Sequence, residues 1–154
     1  MEHLLLSIHV VAGIVFVGGS AVATSLFPRY VPIAAGADMD AAAQEGRSRA
    51  VAAALHRITR GYSLAGLVVP AAGIVLAFAQ GRTGEIWVVL AMVLTAAAGL
   101  LLAVQIHPRQ RDALATPGDR APLRTLSMLA GVYNVVWTVV VVLMIVRPGA
   151  AEGA

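Results

Sequence analysis

One histidine lies inside a long uncharged stretch near the start of the chain, and its position is the one that most invites chemistry. His9 is surrounded by apolar residues from Leu4 to Pro28, and no charged residue occurs between Glu2 and Arg29. An ionisable side chain at membrane depth is costly, so it usually has a function or a dedicated partner. Three roles are open for a neutral imidazole here: a hydrogen bond to another helix, ligation of haem iron, or proton relay or metal binding.

The other titratable residues form no recognised catalytic pattern. His3 is nearly terminal, whereas His56 and His107 map to the opposite end of the predicted bundle from His9. Those two could approach each other, but no carboxylate or cysteine accompanies them at ligand spacing, and we interpret them as interfacial. The sequence has no paired intramembrane carboxylates, HExxH motif, nucleophile elbow or phosphate-binding loop. It has no cysteine, which excludes disulfides, thiolate metal sites and thiol catalysis.

Four uncharged stretches predict an all-α integral membrane protein, a four-transmembrane-helix bundle. Of the 154 residues, 59% are hydrophobic and 12% are charged, and the mean hydropathy is +0.83. Each stretch exceeds the roughly 18 residues expected of a spanning helix. The predicted spans, about 4–27, 62–80, 86–106 and 126–146, leave no room for a soluble module, so residues 1–154 form a single membrane domain.

The distribution of arginine predicts the orientation of this bundle. The connection after the first span carries five arginines and the connection after the third carries four, whereas only Arg82 and Arg147 lie at the other end. The positive-inside rule places both long connections in the cytoplasm and both termini outside, in a bacterial inner (plasma) membrane. Since the charges flank membrane spans, we expect no nucleic acid partner. The expected partners are the lipid bilayer and either other membrane subunits or further copies of this chain.

A cytoplasmic helix is predicted to precede the second span. Residues from about 41 to 60 are rich in alanine, with Gly46 as the only weak point, and the helix should enter span two directly or after a bend at Gly61. Its arginines would lie among anionic headgroups. The alternative is that Arg57 and Arg60 hold an acidic ligand group at the mouth of the bundle.

Spans three and four carry features of helix packing. Span three has small residues at every fourth position, which favours close approach of another helix, and it is expected to end before Pro108, which disfavours helix for the residue preceding it. Polar side chains on span four are expected to hydrogen bond across helices, each contributing about 0.6 kcal/mol or somewhat more. These side chains are Tyr133, Asn134, Trp137 and Thr138.

Taken together, motifs on all four spans resemble the membrane protoporphyrinogen oxidase and CopD-like four-helix family. The first span is similar to the family's first helix through Ile8-His9-Val10-Val11-Ala12, Val17-Gly18-Gly19 and Leu26-Phe27-Pro28-Arg29-Tyr30. The second span resembles its second helix through Arg57, Arg60, Tyr62, Pro70 and Gly73. The third and fourth spans do so through Trp87, Arg124, Asn134 and Ile145-Val146-Arg147-Pro148.

This resemblance implies roles for particular residues. The first-helix histidine of the oxidases is a haem ligand, which makes His9 a candidate ligand of haem b. Asn134 corresponds to the family's fourth-helix asparagine and is expected to be a buried polar contact. A sixth iron ligand must come from elsewhere, and Met92 and Met144 are the candidates at comparable depth.

Two departures from the family pattern broaden the functional hypotheses. The family's essential lysine is replaced within Val88-Val89-Leu90-Ala91, and Val135 stands where an acidic residue usually follows the asparagine, so porphyrinogen oxidation is not supported. Three hypotheses remain: a b-haem-associated redox protein or a degenerate relative of one, a non-catalytic accessory or assembly subunit of a larger membrane complex, and a copper-handling membrane protein. The redox hypothesis requires the His9 ring to face inward, with room for a porphyrin.

Overall fold

The computed structural model describes residues 2–34, 45–79, 81, 83–118 and 120–149, and for 2–6, 8, 65–73, 75, 76 and 79 it describes the backbone alone. All regular secondary structure in these ranges is helical, which confirms the predicted all-α class. The elements are α1 (Glu2–Tyr30), α2 (Arg49–Ala79), α3 (Ile86–Leu100), a π-helical segment (Leu101–Ile106), α4 (His107–Ala115) and α5 (Arg120–Val146).

Three helical stretches among the described residues are long and apolar enough to cross a membrane. They are His9–Tyr30, Ile86–Ala115 and Arg120–Val146, and they overlap the predicted first, third and fourth spans. Their length and composition are those of transmembrane helices. The predicted second span falls on the second half of α2, and it stays a prediction.

The long helices pack side by side, and each contacts two neighbours. α1 packs against α2 and α5, and α3 packs against the same two helices from the other side. α1 and α2 run antiparallel, because Tyr30 meets Ser48 at one end of the pair and Val15 meets Tyr62 further along. α3 and α5 do likewise, since Trp87 at the start of α3 meets Arg147 just after α5.

The core of the bundle lies between these helices and involves only part of α1. Buried apolar side chains come from all of the long helices, and the first among the described side chains of α1 is Phe16. The largest side chains with almost no exposed surface are Tyr133, Phe27, Leu102, Ile106 and Leu126. Close packing of such side chains supplies most of the association between helices where lipid offers no hydrophobic driving force.

The connection between α1 and α2 ends in a turn instead of a helix. Residues 41–44 lie outside the described residues, and the helix predicted over about 41–60 begins only at Arg49. Gly46 has a φ of +79°, a left-handed conformation that suits glycine and interrupts a helix. From Arg49, α2 runs through Gly61 without a break. The helix therefore continues directly into the residues of the predicted second span instead of bending at Gly61.

This connection is fastened to the last turn of α1. The Arg47 guanidinium donates hydrogen bonds to the backbone carbonyls of Val31, at 2.6 Å, and Pro28, at 3.2 Å. The Ser48 amide donates to the Tyr30 carbonyl at 2.9 Å. These donors satisfy carbonyls that the end of a helix leaves without partners.

The helix of the third span was predicted to end before Pro108. It continues past this proline, and its hydrogen-bond pattern changes just before it. The His107 amide donates to the Leu102 carbonyl five residues back, which is the π-helical spacing. Pro108 has no amide hydrogen and would clash with the Val104 carbonyl in a regular α-helix. The wider π turns relieve that clash, and the helix continues as α4 to Ala115.

Candidate functional site

Polar side chains join α1 to α5 in the interior of the bundle. The Tyr133 hydroxyl donates to Ser20 Oγ at 2.8 Å, and Asn134 Nδ2 donates to Ser25 Oγ at 3.0 Å. The predicted hydrogen bonds across helices are therefore confirmed for Tyr133 and Asn134. Thr138 instead donates to the Asn134 carbonyl of its own helix, at 2.9 Å. Two direct bonds one residue apart on α5 fix its register against α1.

A groove lies beside these bonds, between the same two helices. It has a volume of about 300 Å³ and is almost wholly apolar. Two polar atoms of residues that line it, Asn134 Oδ1 and Trp137 Nε1, are buried and form no hydrogen bond of normal geometry with a described residue, although Trp137 Nε1 lies near the Tyr133 hydroxyl. The groove is lined by Val17, Ala21, Asn134, Trp137, Thr138, Val141 and Val142.

His9 lies outside this groove, on a part of α1 that the described residues leave uncovered. Its side chain is exposed, and it has no hydrogen-bond partner among the described residues. Every residue from 9 to 15 is exposed except Gly13, which is half-buried. Seven consecutive residues make about two turns, so this part of α1 is exposed on nearly every side.

The redox hypothesis requires the His9 ring to face into the bundle of its own chain. The exposure of His9 shows that it does not. The physical reason lies in the sequence around it, which has no polar face to set against an apolar one. Val10 is 49% exposed, Val11 60%, Ile14 67% and Val15 59%. A helix that is apolar all round has no preferred direction of rotation set by amphipathicity.

The candidate methionines do not complete an iron site with His9 within the chain. Met144 is half-buried and packs against the hydrophobic core, and Met92 is half-buried on α3. Neither lines the groove between α1 and α5. Haem binding stays a prediction, and it needs a second molecule to cover the face of the His9 ring.

Arg57 and Arg60 are both exposed on α2, near the end of the bundle where the arginines gather. Neither forms a hydrogen bond or an ion pair with another described residue. Their predicted role in holding an acidic group stays a prediction. Exposed guanidinium groups at this end of the bundle suit contact with anionic lipid headgroups, as the sequence analysis expects for these arginines.

His56 and His107 come together at the same end of the bundle. Their rings stack with centroids 4.7 Å apart and planes inclined by 13°. Nδ1 of His56 lies 3.3 Å from Oε1 of Gln110, whose side chain is fully buried. Stacked rings keep their nitrogen lone pairs side by side instead of aiming them at one ion, so we interpret the three residues as a polar contact between α2 and α4.

Sequence reasoning missed Gln110 in this contact. A glutamine in a short charged helix resembles a surface residue, yet it lies three positions after His107, which places both side chains on one helix face. That spacing is the signal that could have indicated the pair. Among the described residues, no group of three or more His, Cys, Asp or Glu side chains could hold a metal ion.

The opposite end of the bundle is closed by contacts around Trp87. The Trp87 indole donates to the Glu85 carboxylate, and the Arg147 guanidinium lies 5.5 Å from the centre of the Trp87 ring. Arg147 follows the end of α5, where its φ of 46° interrupts the helical backbone. This cation–π contact joins the two helices at the level where aromatic side chains anchor a membrane protein.

Comparisons with family models, curated proteins and solved structures found no match for this chain. The resemblance to the protoporphyrinogen oxidase and CopD-like family therefore stays a prediction. The physical features of the chain itself carry the functional argument: transmembrane helices, an uncovered histidine and an apolar groove.

Proposed function

We propose that this protein is a non-catalytic subunit of a membrane assembly, joined to a partner's membrane helix through residues 9–15 of α1. We call this segment the uncovered half of α1. The observation that carries the proposal is the exposure of His9 within a helix long and apolar enough to span the membrane. A polar side chain facing hydrocarbon is costly, and a hydrogen bond from a neighbouring helix removes that cost.

The side chains next to His9 suit a helix as the partner. Ala12 is small and exposed, and a Cβ built on Gly13 would meet no atom within 4 Å. Small residues let two helix backbones approach closely, which makes van der Waals contact and interhelical hydrogen bonds possible. The partner that fits is a membrane helix with a hydrogen-bonding group at the depth of His9.

The proposal includes the membrane topology of the subunit. We infer that α2 supplies a fourth span, because residues 61–79 carry no charge and α2 packs beside two helices of spanning length. The arginines lie mainly at the end of the bundle opposite His9. The positive-inside rule then places both termini outside the cytoplasm, in the inner membrane of a bacterium.

Haem binding is a second candidate in a form that differs from the one predicted, because the exposed His9 ring is not placed to hold a porphyrin inside the bundle of this chain. An uncovered imidazole can ligate an iron whose porphyrin lies between this chain and its partner. The purified assembly would then show a Soret band that His9→Ala abolishes. A colourless assembly of unchanged composition would contradict haem binding and leave the subunit proposal intact, whereas metal analysis of that sample tests copper handling.

Because the chain has no cysteine, a photo-crosslinking experiment can test the subunit proposal directly. Val15→Cys and Val93→Cys form a matched pair, since each native side chain is 59% exposed, one on α1 and the other on α3. Each variant is labelled with benzophenone maleimide and irradiated in native membranes. We expect one discrete protein adduct from position 15 and only lipid adducts from position 93.

Two outcomes of this crosslinking experiment matter for the proposal. A position-15 adduct of twice the monomer mass identifies a second copy as the partner, and any other discrete mass identifies a different subunit. If position 15 gives the same lipid-only pattern as position 93, the uncovered half of α1 faces lipid and the proposal is wrong.

A further inference from the structure

We propose that the groove between α1 and α5 binds a lipid-soluble molecule with a hydroxyl head on an apolar body. The groove has a volume of about 300 Å³, and apolar side chains of both helices form most of its lining. Thr138, Val141 and Val142 are exposed at its rim, so it opens sideways on the surface of α5. Its unpartnered polar atoms belong to Asn134 and Trp137, near the middle of α5.

The unpartnered atoms determine the chemistry of the head. Asn134 Nδ2 is already bonded to Ser25, which leaves Oδ1 as an acceptor, and Trp137 Nε1 carries a hydrogen to donate. A single hydroxyl satisfies both atoms, because it accepts from the indole and donates to the amide oxygen. A carbonyl head satisfies only the indole, and a hydrocarbon satisfies neither.

The position of the two residues favours a ligand dissolved in the membrane. They lie one turn apart on a helix long and apolar enough to span a bilayer, where bulk water is absent and an unsatisfied polar group is costly. The rest of the lining is apolar except for Thr138, whose hydroxyl already donates to the Asn134 carbonyl. Both polar atoms are buried, so the head engages them only when the Asn134 and Trp137 side chains rotate toward the groove.

Two sources could supply this chemistry, a prenyl alcohol and a quinol. They share a hydroxyl on an apolar body, and they differ in whether the hydroxyl belongs to an aromatic ring. The proposal is independent of the subunit proposal, because no residue of the uncovered half of α1 lines the groove.

Trp137 can report its own hydrogen bond. The chain has two tryptophans, so Trp87→Phe leaves Trp137 as the only indole. The detergent-solubilised variant is titrated with farnesol and, separately, with farnesene, which has the same body without the hydroxyl. We expect a saturable red shift of the Trp137 emission with farnesol, and at least tenfold weaker binding of farnesene.

A second variant tests the role of the amide. Asn134→Leu, made in the Trp87→Phe protein, should weaken farnesol binding about tenfold, which corresponds to about 1.4 kcal/mol. It should leave farnesene binding unchanged. Ser127→Ala is the control on the same helix: its hydroxyl donates to the Leu123 carbonyl and lies outside the groove, so farnesol binding should not change.

The quinol arm uses competition, because quinols absorb where tryptophan is excited. Decylhydroquinone that displaces tritium-labelled farnesol at a lower concentration than unlabelled farnesol does would assign the groove to a quinol, and weaker displacement would assign it to a prenyl alcohol. Equal binding of farnesol and farnesene would overturn the proposal, since the groove would then accept any hydrocarbon chain. An unchanged farnesol affinity in a folded Asn134→Leu variant would overturn it as well.

Discussion

The two halves of α1 are both apolar, but only one of them is packed. From Phe16 onward the helix contributes buried side chains to the core and hydrogen bonds to α5, whereas the uncovered half has no buried side chain among those described. Hydropathy does not distinguish the two halves, since both belong to one uncharged stretch. Contact with the neighbouring helices distinguishes them, and the uncovered half is the one that carries His9.

The largest contrast should come from truncating one side chain in each half. Phe27 is 0% exposed and Ile14 is 67% exposed. Phe27→Ala should lower the free energy of unfolding by about 3–5 kcal/mol because it leaves a cavity in the core. Ile14→Ala should change it by less than about 0.5 kcal/mol in the isolated chain. Unfolding in mixed micelles measures both, and equal losses would contradict the division of α1 into two halves.

Two adjacent glycines offer a finer comparison at the boundary between the halves. A Cβ at Gly19 would lie 2.0 Å from the Tyr62 hydroxyl oxygen, whereas a Cβ at Gly18 would meet nothing within 4 Å. Gly19→Ala should displace Tyr62 from its hydrogen bond to the Val15 carbonyl and from its edge-on contact with Phe16. The expected cost is about 1–3 kcal/mol.

Gly18→Ala is the control for that prediction, and it should be neutral or slightly stabilising, because alanine favours helix more than glycine does. The same unfolding assay measures both variants. A Gly19→Ala protein as stable as Gly18→Ala would mean that Tyr62 does not pack against α1 in the membrane.

A smaller effect should follow from removing one polar contact of the packed half. Tyr133→Phe deletes the hydroxyl that donates to Ser20 and keeps the fully buried ring. We expect a loss of about 0.6 kcal/mol, and at most about 1.7 kcal/mol. In a double-mutant cycle with Ser20→Ala, additive losses would show that the two side chains do not interact.

Much of the helical arrangement could be predicted from the sequence, because charge-free runs of spanning length leave few alternatives. Three predicted spans overlap helices of spanning length among the described residues, His9–Tyr30, Ile86–Ala115 and Arg120–Val146. Helix ends were placed less well. Gly46 forms a turn with a positive φ, and a π-helical segment precedes Pro108. Both features depend on local backbone geometry, which a hydropathy pattern does not predict.

The candidate site was harder to predict, because it depends on how each helix is rotated. α1 is apolar on every side around His9, so its sequence cannot indicate which way the imidazole points. The cross-helix bond of Asn134 could be expected, since a polar side chain in a spanning helix needs a partner. The partner itself, Ser25, and the buried position of Gln110 follow from tertiary packing alone.

The crosslink from Val15→Cys, with and without His9→Leu, tests the central claim most directly. Leucine removes the polar group of His9 and keeps the uncovered half of α1 apolar. We predict that native membranes yield the discrete adduct at position 15 when His9 is present, and that His9→Leu reduces its yield at least tenfold. An adduct of equal yield in both proteins, or none in either, would contradict the claim that His9 holds this subunit to its partner.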